Sequence, residues 1–265
     1  MIIDQIRNAT LKINYGGKTF LVDPWLCGKG EMGSMNDIPG RPFITVDPVQ
    51  MNLAMPLCDL PYSKEEVLKD VDYYIVTHVH PDHIDMNADG TVGDGLDKNV
   101  PVFVQSEVDA ETLKRSGFVD VRVLSDEGTD INGVTLIKTP GRHGTIVPAG
   151  DAVGVLFKAN NEDTLYIMGD TIWYEAVANV LSEHKPGVVV VNACAAELVG
   201  HGRLIMNDED IDCVAQSLPE AKIIVSHMDT VAHAQITRRS MRGLLAKRGI
   251  TNYVMPEDGE RWTDK

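Results

Sequence analysis

The sequence predicts a mixed α/β fold, on the basis of two observations. Short apolar runs typical of buried strands recur along the whole chain, and segments with helical spacing separate several of them. The composition, 43% hydrophobic and 24% charged, is that of a globular protein. Because no linker rich in proline, glycine or serine divides the 265 residues, we expect a single domain over residues 1–265.

Seven apolar runs are predicted to be strands, because they are rich in β-branched and aromatic residues and are bounded by turn residues. In chain order, these runs are Phe20–Val22, Tyr73–Val76, Val102–Val104, Val134–Ile137, Leu165–Met168, Val188–Val191 and Ile223–Val225.

Five segments are predicted to be helices. The first opens with a capping box formed by Ser63 and Glu66, and the second ends at Gly117, a residue typical of helix ends. In chain order, the helices cover Ser63–Asp70, Ser106–Ser116, Trp173–Ser182, Asp208–Leu218 and Ile236–Lys247.

Residues 27–61 hold many glycines, prolines and methionines and show little periodicity. We interpret them as a long loop or lid, because long loops in compact domains often carry function. A disordered insertion is the alternative, but apolar residues such as Phe43, Met51 and Leu57 are too frequent for disorder. The same apolar residues could form a subunit contact, so a homo-oligomer stays open.

The formal net charge of −15 would repel phosphate backbones, so nucleic acid is not an expected partner. The N-terminus shows no basic region followed by an apolar core, and no run of 18 apolar residues occurs, so we expect neither export nor a membrane span. Four scattered cysteines without a CxxC pair indicate reduced thiols. A cytoplasmic location is therefore expected.

The segment His78–His83 packs three imidazoles and one carboxylate into six residues. Imidazole nitrogen and carboxylate oxygen are ligands of zinc, manganese and iron. His78 and His80, two positions apart, can point the same way from an extended segment. With eight histidines in the whole chain, chance clustering is a poor explanation. The segment is therefore predicted to bind metal.

Three further candidate ligands each follow a predicted strand, where loops on a rigid scaffold carry function. They are His143, Asp170 and His227. The alternatives are a turn histidine at 143, a helix N-cap at 170 and a buried structural histidine at 227.

Thr77–His83 closely resembles the HxHxDH signature of the metallo-β-lactamase superfamily, and the later candidates follow in that family's order. The resemblance covers most of the chain. It implies a four-layer αββα sandwich, in which two mixed sheets face each other, helices lie outside and the metals lie at one edge. It also implies two divalent metal ions; zinc and manganese are expected, and the ligand set also accepts iron.

The same resemblance implies seven metal ligands. The first ion would be held by His78, His80 and His143, the second by Asp82, His83 and His227, and both by a bridging Asp170. Two such ions can share a water molecule and lower its pKa, which gives a hydroxide nucleophile at neutral pH. Asp82 would orient the hydroxide and relay its proton, so Asp82 and Asp170 are the catalytic candidates.

Three other carboxylates lie close to these ligands in sequence: Asp23, Asp85 and Asp229. We predict that they orient ligand imidazoles through hydrogen bonds. For Asp23, a simple Asp-Pro turn is an equal alternative.

Candidate substrate contacts are Arg142, Trp173, Tyr174, His201, Arg203 and His233. The Gly-flanked pair His201 and Arg203 could hold an anionic group or form an ordinary surface loop. The two aromatic residues could equally pack in the core, and His233 could line the pocket or lie at the surface. His184, in a polar stretch, is predicted to be a surface residue.

The segments Leu21–Leu26 and His78–Asp85 look like the subgroup that contains L-ascorbate-6-phosphate lactonase. We therefore expect a metal-dependent hydrolase that acts on a small ester-like, anionic substrate such as a lactone or a phosphorylated sugar derivative. A phosphodiesterase acting on a small nucleotide or lipid-derived substrate is the alternative. A non-catalytic metal-binding interaction protein is a third hypothesis, which the full ligand set disfavours.

Overall fold

The computed structural model describes residues 1–40, 42–44 and 47–264. The strands in chain order are β1 (Ile2–Arg7), β2 (Thr10–Tyr15), β3 (Lys18–Val22), β4 (Gly33–Ser34), β5 (Phe43–Ile44), β6 (Ala54–Met55), β7 (Tyr73–Val76), β8 (Val102–Val104), β9 (Val121–Val123), β10 (Thr129–Asp130), β11 (Val134–Pro140), β12 (Val153–Ala159), β13 (Leu165–Ile167), β14 (Val188–Asn192), β15 (Glu197–Leu198), β16 (Gly202–Arg203), β17 (Lys222–Ser226), β18 (Tyr253–Val254) and β19 (Arg261–Thr263). The α-helices are α1 (Lys64–Leu68), α2 (Glu107–Arg115), α3 (Glu175–His184), α4 (Asp208–Ser217) and α5 (Arg238–Arg248).

Two mixed sheets form the centre of the fold. The first has the strand order β19-β1-β2-β3-β7-β8-β9, and the second has the order β10-β11-β12-β13-β14-β17-β18. In both sheets, antiparallel pairs on one side give way to parallel pairs on the other. The carboxyl ends of the parallel strands in each sheet therefore lie at one edge.

The inner faces of the two sheets pack against each other. Alternate residues of a strand point to opposite faces, so Phe20 joins the core between the sheets while Leu21 points to the outer side. In β14, Val190 faces the inner core and Val191 the outer side. The rings of Phe20 and Phe157, one from each sheet, meet edge to face at 5.1 Å.

Helices cover both outer faces. On the first sheet, α1 and α2 bury Val67 and Leu113, and on the second sheet α3, α4 and α5 bury apolar residues such as Leu181, Val214 and Leu245. The expected four-layer αββα arrangement is confirmed. None of the helices in the described ranges is long and apolar enough to cross a membrane.

The predicted elements recur with small shifts. Tyr73–Val76 and Val102–Val104 match β7 and β8, but the helix predicted to begin at Trp173 starts at Glu175, because Tyr174 has an extended backbone and serves as the N-cap. The seven predicted runs correspond to β3, β7, β8, β11, β13, β14 and β17, and the apolar pattern does not indicate the remaining strands, of which β1, β2 and β12 are the longest. The buried polar residues Gln5 and Arg7 hide the apolar pattern of β1.

The segment over residues 27–61 contains β4, β5, β6 and two short 3₁₀ turns. Met35, Met51 and Met55 are buried in the core on the outer side of the second sheet. Part of the predicted lid, residues 41, 45 and 46, lies outside the described residues. The segment's action as a lid stays a prediction.

Candidate metal centre

The seven residues proposed as ligands from the sequence converge at the edge of the sandwich. They form three groups, and within each group the donor atoms lie within 4.8 Å of one another. The groups are His78 with His80 and His143; His78 with His83 and Asp170; and Asp82 with His83 and His227.

Asp170 lies between the two predicted ligand sets. Its Oδ2 is 3.2 Å from His83 Nε2, 3.8 Å from His227 Nε2 and 3.9 Å from His78 Nε2. The preceding Gly169 has a φ of +67°, and a Cβ there would lie 2.2 Å from the carbonyl oxygen of Val153. Only glycine fits this close approach, which directs Asp170 toward the histidines.

The donor set fits metal cations. Within the described part of the chain, His78 Nε2 and His143 Nδ1 are buried and have no hydrogen-bond partner. Burying such polar atoms without a partner is costly. Burial also lowers the pKa of both imidazoles, so each ring offers a neutral lone pair at pH 7. A bound cation would satisfy these atoms.

Charge is also concentrated here. Burial alone would raise the pKa of Asp170, but the nearby His83 and His227 lower it well below its usual range. Burial opposes protonation of His83, yet Asp170 and Asp23 outweigh it and raise the pKa of His83 to about 10. Asp82 and Asp170 are both buried carboxylates, and a buried negative charge is costly unless positive charge lies beside it. Divalent ions bound at this site could supply that positive charge.

Asp23 and Thr77 hold the ligand imidazoles from behind. Asp23 Oδ2 lies 2.9 Å from His83 Nδ1, and Asp23 Oδ1 accepts a hydrogen bond of 2.8 Å from the Thr77 amide. The Thr77 hydroxyl lies 2.9 Å from Asp23 Oδ2 and 3.2 Å from His78 Nδ1. These contacts leave the Nε2 atoms of His78 and His83 directed into the site.

Besides Thr77, sequence reasoning missed three supporting residues. Asn192 donates to Asp170 Oδ1 at 2.7 Å, Asn8 donates to the Asp82 carbonyl at 3.0 Å, and Cys194 Sγ lies 3.8 Å from His227 Nδ1. Asn192 could have been found, because it ends a strand just as the ligands follow theirs. Asn8 lies in the β1–β2 turn, which the sequence did not indicate.

Several of these residues have strained backbones. Asp23, His227, Asp229 and Asn8 have φ values of +46°, +61°, +67° and +52°. Positive φ is uncommon outside glycine, and such residues concentrate at functional sites.

The structure gives two of the predicted orienting carboxylates other partners. Asp85 Oδ1 accepts the backbone amides of Leu26 at 3.1 Å and Cys27 at 2.8 Å, so it holds the start of the 27–61 segment. Asp229 pairs with Arg238 at 3.3 Å. Both side chains therefore bind backbone or guanidinium groups in place of the ligand imidazoles that the sequence suggested.

A cavity of about 290 Å³ opens onto the candidate centre. Its polar lining comes from His80, Asp82, His143, Asp170, His227 and His233. The remaining lining is apolar and consists of Met32, Met35, Ile38, Pro42, Phe43, Pro81, Ala149, Ala196, Leu198, Leu204 and Ile205. A small volume with an apolar wall and a few convergent polar groups is typical of a site for a small ligand.

The three basic residues beyond the centre that were proposed as substrate contacts bind the protein itself. Arg142 Nε donates to the Gly144 carbonyl at 3.1 Å, and His201 Nδ1 lies 2.9 Å from the Val147 carbonyl. Arg203 forms an ion pair of 2.5 Å with Asp210. None of the three lines the cavity described above, so the structure does not bring them to the site.

Trp173 and Tyr174 pack against the core on the outer side of the second sheet and are not part of the cavity wall. His233, in contrast, is buried and lines the cavity. His184 ends α3, and its Nδ1 lies 3.0 Å from Lys158 Nζ, away from the three ligand groups.

A family model described as a β-lactamase superfamily domain matches residues 20–228, so the fold and the site define a member of that superfamily. A Bacillus subtilis protein of the UPF0173 family, YddR, is 39% identical over 268 residues, which cover 99% of this chain and 100% of that protein. The chain therefore belongs to the UPF0173 family, and relatives of that family from Xanthobacter autotrophicus and Koribacter versatilis are named metal-dependent hydrolases.

Two solved structures share the whole fold. An isothiocyanate hydrolase from Delia radicum gut bacteria is 34% identical with a TM-score of 0.88, over 100% of this chain and 99% of that one. A possible metal-dependent hydrolase from Veillonella parvula is 35% identical with a TM-score of 0.88, over 99% of both chains. The chain is thus a metal-dependent hydrolase; these matches do not confirm the likeness to the lactonase subgroup.

Proposed function

We propose that this enzyme hydrolyses a small, uncharged, apolar electrophile, and that an isothiocyanate is the first substrate to test. The observation that supports this proposal is the cavity. Eleven apolar residues form its wall, and its polar groups all belong to the candidate centre or lie beside it. The likeness to an isothiocyanate hydrolase, 34% identical over the whole chain, supports the same class of substrate.

The cavity lining argues against an anionic substrate. Among its described residues there is no lysine or arginine, and Arg142 and Arg203 are engaged elsewhere. An anionic group that lies against the apolar wall, away from the proposed metal ions, would find no cationic side chain among the described lining residues to pair with. A small lactone or ester shares the electrophilic carbon and the apolar body, so it stays the second candidate.

We further propose that two divalent ions, zinc or manganese in the first instance, occupy the centre. His78, His80 and His143 would hold one, Asp82, His83 and His227 the other, and Asp170 both. Bound there, the ions would lower the pKa of a water molecule and polarise the substrate. The proposal is supported by the grouping of donor atoms within 4.8 Å and by the unpartnered nitrogens of His78 and His143.

The reaction would add the oxygen of water to the central carbon of R–N=C=S and a proton to its nitrogen. The second proton of water then passes from the added oxygen to the nitrogen as the bond between the nitrogen and the central carbon breaks, which releases the amine R–NH₂ and carbonyl sulfide. In this proposal Asp82 would move the proton, which is supported by its position in the cavity lining and by the distances of its Oδ2 to His227 Nε2, 3.4 Å, and to His233 Nε2, 3.7 Å. The apolar wall would bind the R group and exclude bulk water.

A substrate panel tests this proposal. Metal-loaded protein would be offered phenethyl isothiocyanate, a small lactone, an aryl ester and bis(4-nitrophenyl) phosphate, with release of amine, acid or phenol measured. We expect the isothiocyanate to give the highest kcat/KM. Phosphodiester hydrolysis at a higher kcat/KM than every neutral substrate would refute the proposal.

A pair of neighbouring variants tests the role of the wall. Leu198 lines the cavity, while Val199 is 63% exposed and lies outside it. Leu198→Lys should raise KM for an apolar isothiocyanate by about tenfold or more, because the substrate loses apolar contact. Val199→Lys should leave KM unchanged. Equal effects of the two variants would show that the cavity does not bind the R group.

A further inference from the structure

His233 lies beside the candidate metal centre but outside the three ligand groups found among the described residues. Its imidazole is buried, lines the cavity and places Nε2 3.7 Å from Asp82 Oδ2. This distance is longer than a hydrogen bond, so His233 Nε2 is not hydrogen-bonded to Asp82. The ring therefore presents an available nitrogen at the place where the substrate's reacting atoms would lie.

The surrounding structure fixes this ring. Phe43, from the 27–61 segment, lies against it with ring centroids 4.5 Å apart. The loop that carries His233 is anchored just beyond it, because the Cys194 carbonyl accepts the amides of Gln235 at 2.9 Å and Ile236 at 3.0 Å. Such support holds a catalytic group in one orientation before the substrate binds.

The surroundings of the ring also determine where its proton lies. Nδ1 is buried without a hydrogen-bond partner in the described part of the protein. A buried N–H without an acceptor is rarer and more costly than a buried lone pair, so the proton belongs on Nε2. A ring with its proton on Nε2 and none on Nδ1 is the neutral imidazole, in which one nitrogen donates and the other accepts.

We propose that His233 is a neutral hydrogen-bond donor, whose Nε2–H binds the substrate heteroatom on which negative charge builds during hydrolysis. This inference rests on the proposed function, in which the attacked carbon carries a nitrogen and a sulfur. A fixed donor aimed at developing charge stabilises the transition state more than the ground state. Its removal should therefore lower kcat more than it raises KM.

Three variants test this role. His233→Phe keeps an aromatic ring against Phe43 but removes the N–H, and it should lower kcat by about 100-fold. His233→Gln offers an amide N–H and should recover part of that loss. His184→Phe, on the outer helix α3, is the matched control and should match wild type. Metal content should stay at the wild-type value in all three.

The possible results separate the alternatives. Wild-type kcat in His233→Phe would overturn the proposal, and so would loss of metal from that variant, which would make His233 a ligand. Loss of one limb of the pH–rate profile in His233→Phe would also overturn it, since that limb would identify a general acid or base. A neutral donor leaves both limbs in place.

A readout without turnover tests the proton's position. In protein labelled with ¹⁵N at histidine, and with His233→Phe used to assign the signal, we expect a neutral ring protonated at Nε2. A ring protonated at Nδ1, or an imidazolium at pH 7, would overturn the proposal. If the wild-type protein hydrolyses no isothiocyanate, the proposed function is wrong. The position of the ring proton, measured without substrate, would still show whether His233 can donate from Nε2.

Discussion

Replacement of Asp23 by asparagine should weaken metal binding without unfolding the protein. One carboxylate oxygen of Asp23 accepts the Thr77 amide at 2.8 Å, and the other lies 2.9 Å from His83 Nδ1. Asparagine has one oxygen and one NH₂ group, so it cannot serve both partners. If the NH₂ faces His83, it donates to Nδ1, and the ring proton moves to Nε2, where it blocks the ligand atom.

The expected magnitude follows from this single lost contact. Loss of a group that orients a metal-bound histidine costs about 10–100-fold in metal affinity, which corresponds to about 1.4–2.8 kcal/mol. The assay is a competition titration of metal-free protein against a chromophoric chelator, with Zn²⁺ or Mn²⁺ as the added metal. Circular dichroism would confirm that Asp23→Asn remains folded.

Asp85→Asn is the matched control. Asp85 is also close to the ligands in sequence, but a single oxygen accepts both backbone amides, and asparagine keeps that oxygen. Burial raises the pKa of Asp85, so loss of its charge removes little. We expect wild-type metal affinity. Equal metal affinities for the two variants, whether both weakened or both intact, would refute the reasoning.

Three further predictions follow from the contacts. Asp170→Ala should lower metal content and abolish hydrolysis, measured by elemental analysis and turnover; full activity would contradict a shared bridging carboxylate. His184→Ala should keep wild-type metal content, since its two ring nitrogens lie near Lys158 and Glu183 and the residue is in none of the three ligand groups, and a loss would show that this histidine supports the site. Arg203→Met should lower the free energy of unfolding by about 1–3 kcal/mol, because it leaves Asp210 without its ion pair. Denaturant titration measures that change, and a raised KM at unchanged stability would instead place Arg203 at the substrate.

The convergence of the candidate ligands could be predicted from their places after apolar runs, whereas their assignment to two metal ions depended on the family resemblance and stays a prediction. Each of His143, Asp170 and His227 closely follows an apolar run, and strand ends of two facing sheets meet at one edge. The structure brings these residues together with His78–His83, as that pattern suggested. The four layers themselves depended on the family resemblance, since apolar runs alone specify no sheet order.

The supporting contacts could not be predicted, because they depend on side-chain direction. Three carboxylates are predicted from the sequence to orient ligand imidazoles: Asp23, Asp85 and Asp229. In the structure Asp23 contacts a ligand imidazole, while the other two bind a backbone amide and a guanidinium group. The composition of the cavity was equally hidden. Phe43 lies against His233, and the strand that carries Phe43, β5, pairs with β15. These two strands are about 155 residues apart in the chain, so nothing in the sequence indicated that they pair.

The most direct test is to add metal to metal-free protein and follow amine release from an apolar isothiocyanate. We predict no turnover without metal and a rate that rises until two equivalents of Zn²⁺ or Mn²⁺ per chain are bound. Turnover that persists in the metal-free protein would contradict a metal-dependent site. A plateau at one equivalent would contradict the assignment of two ions to the seven ligands.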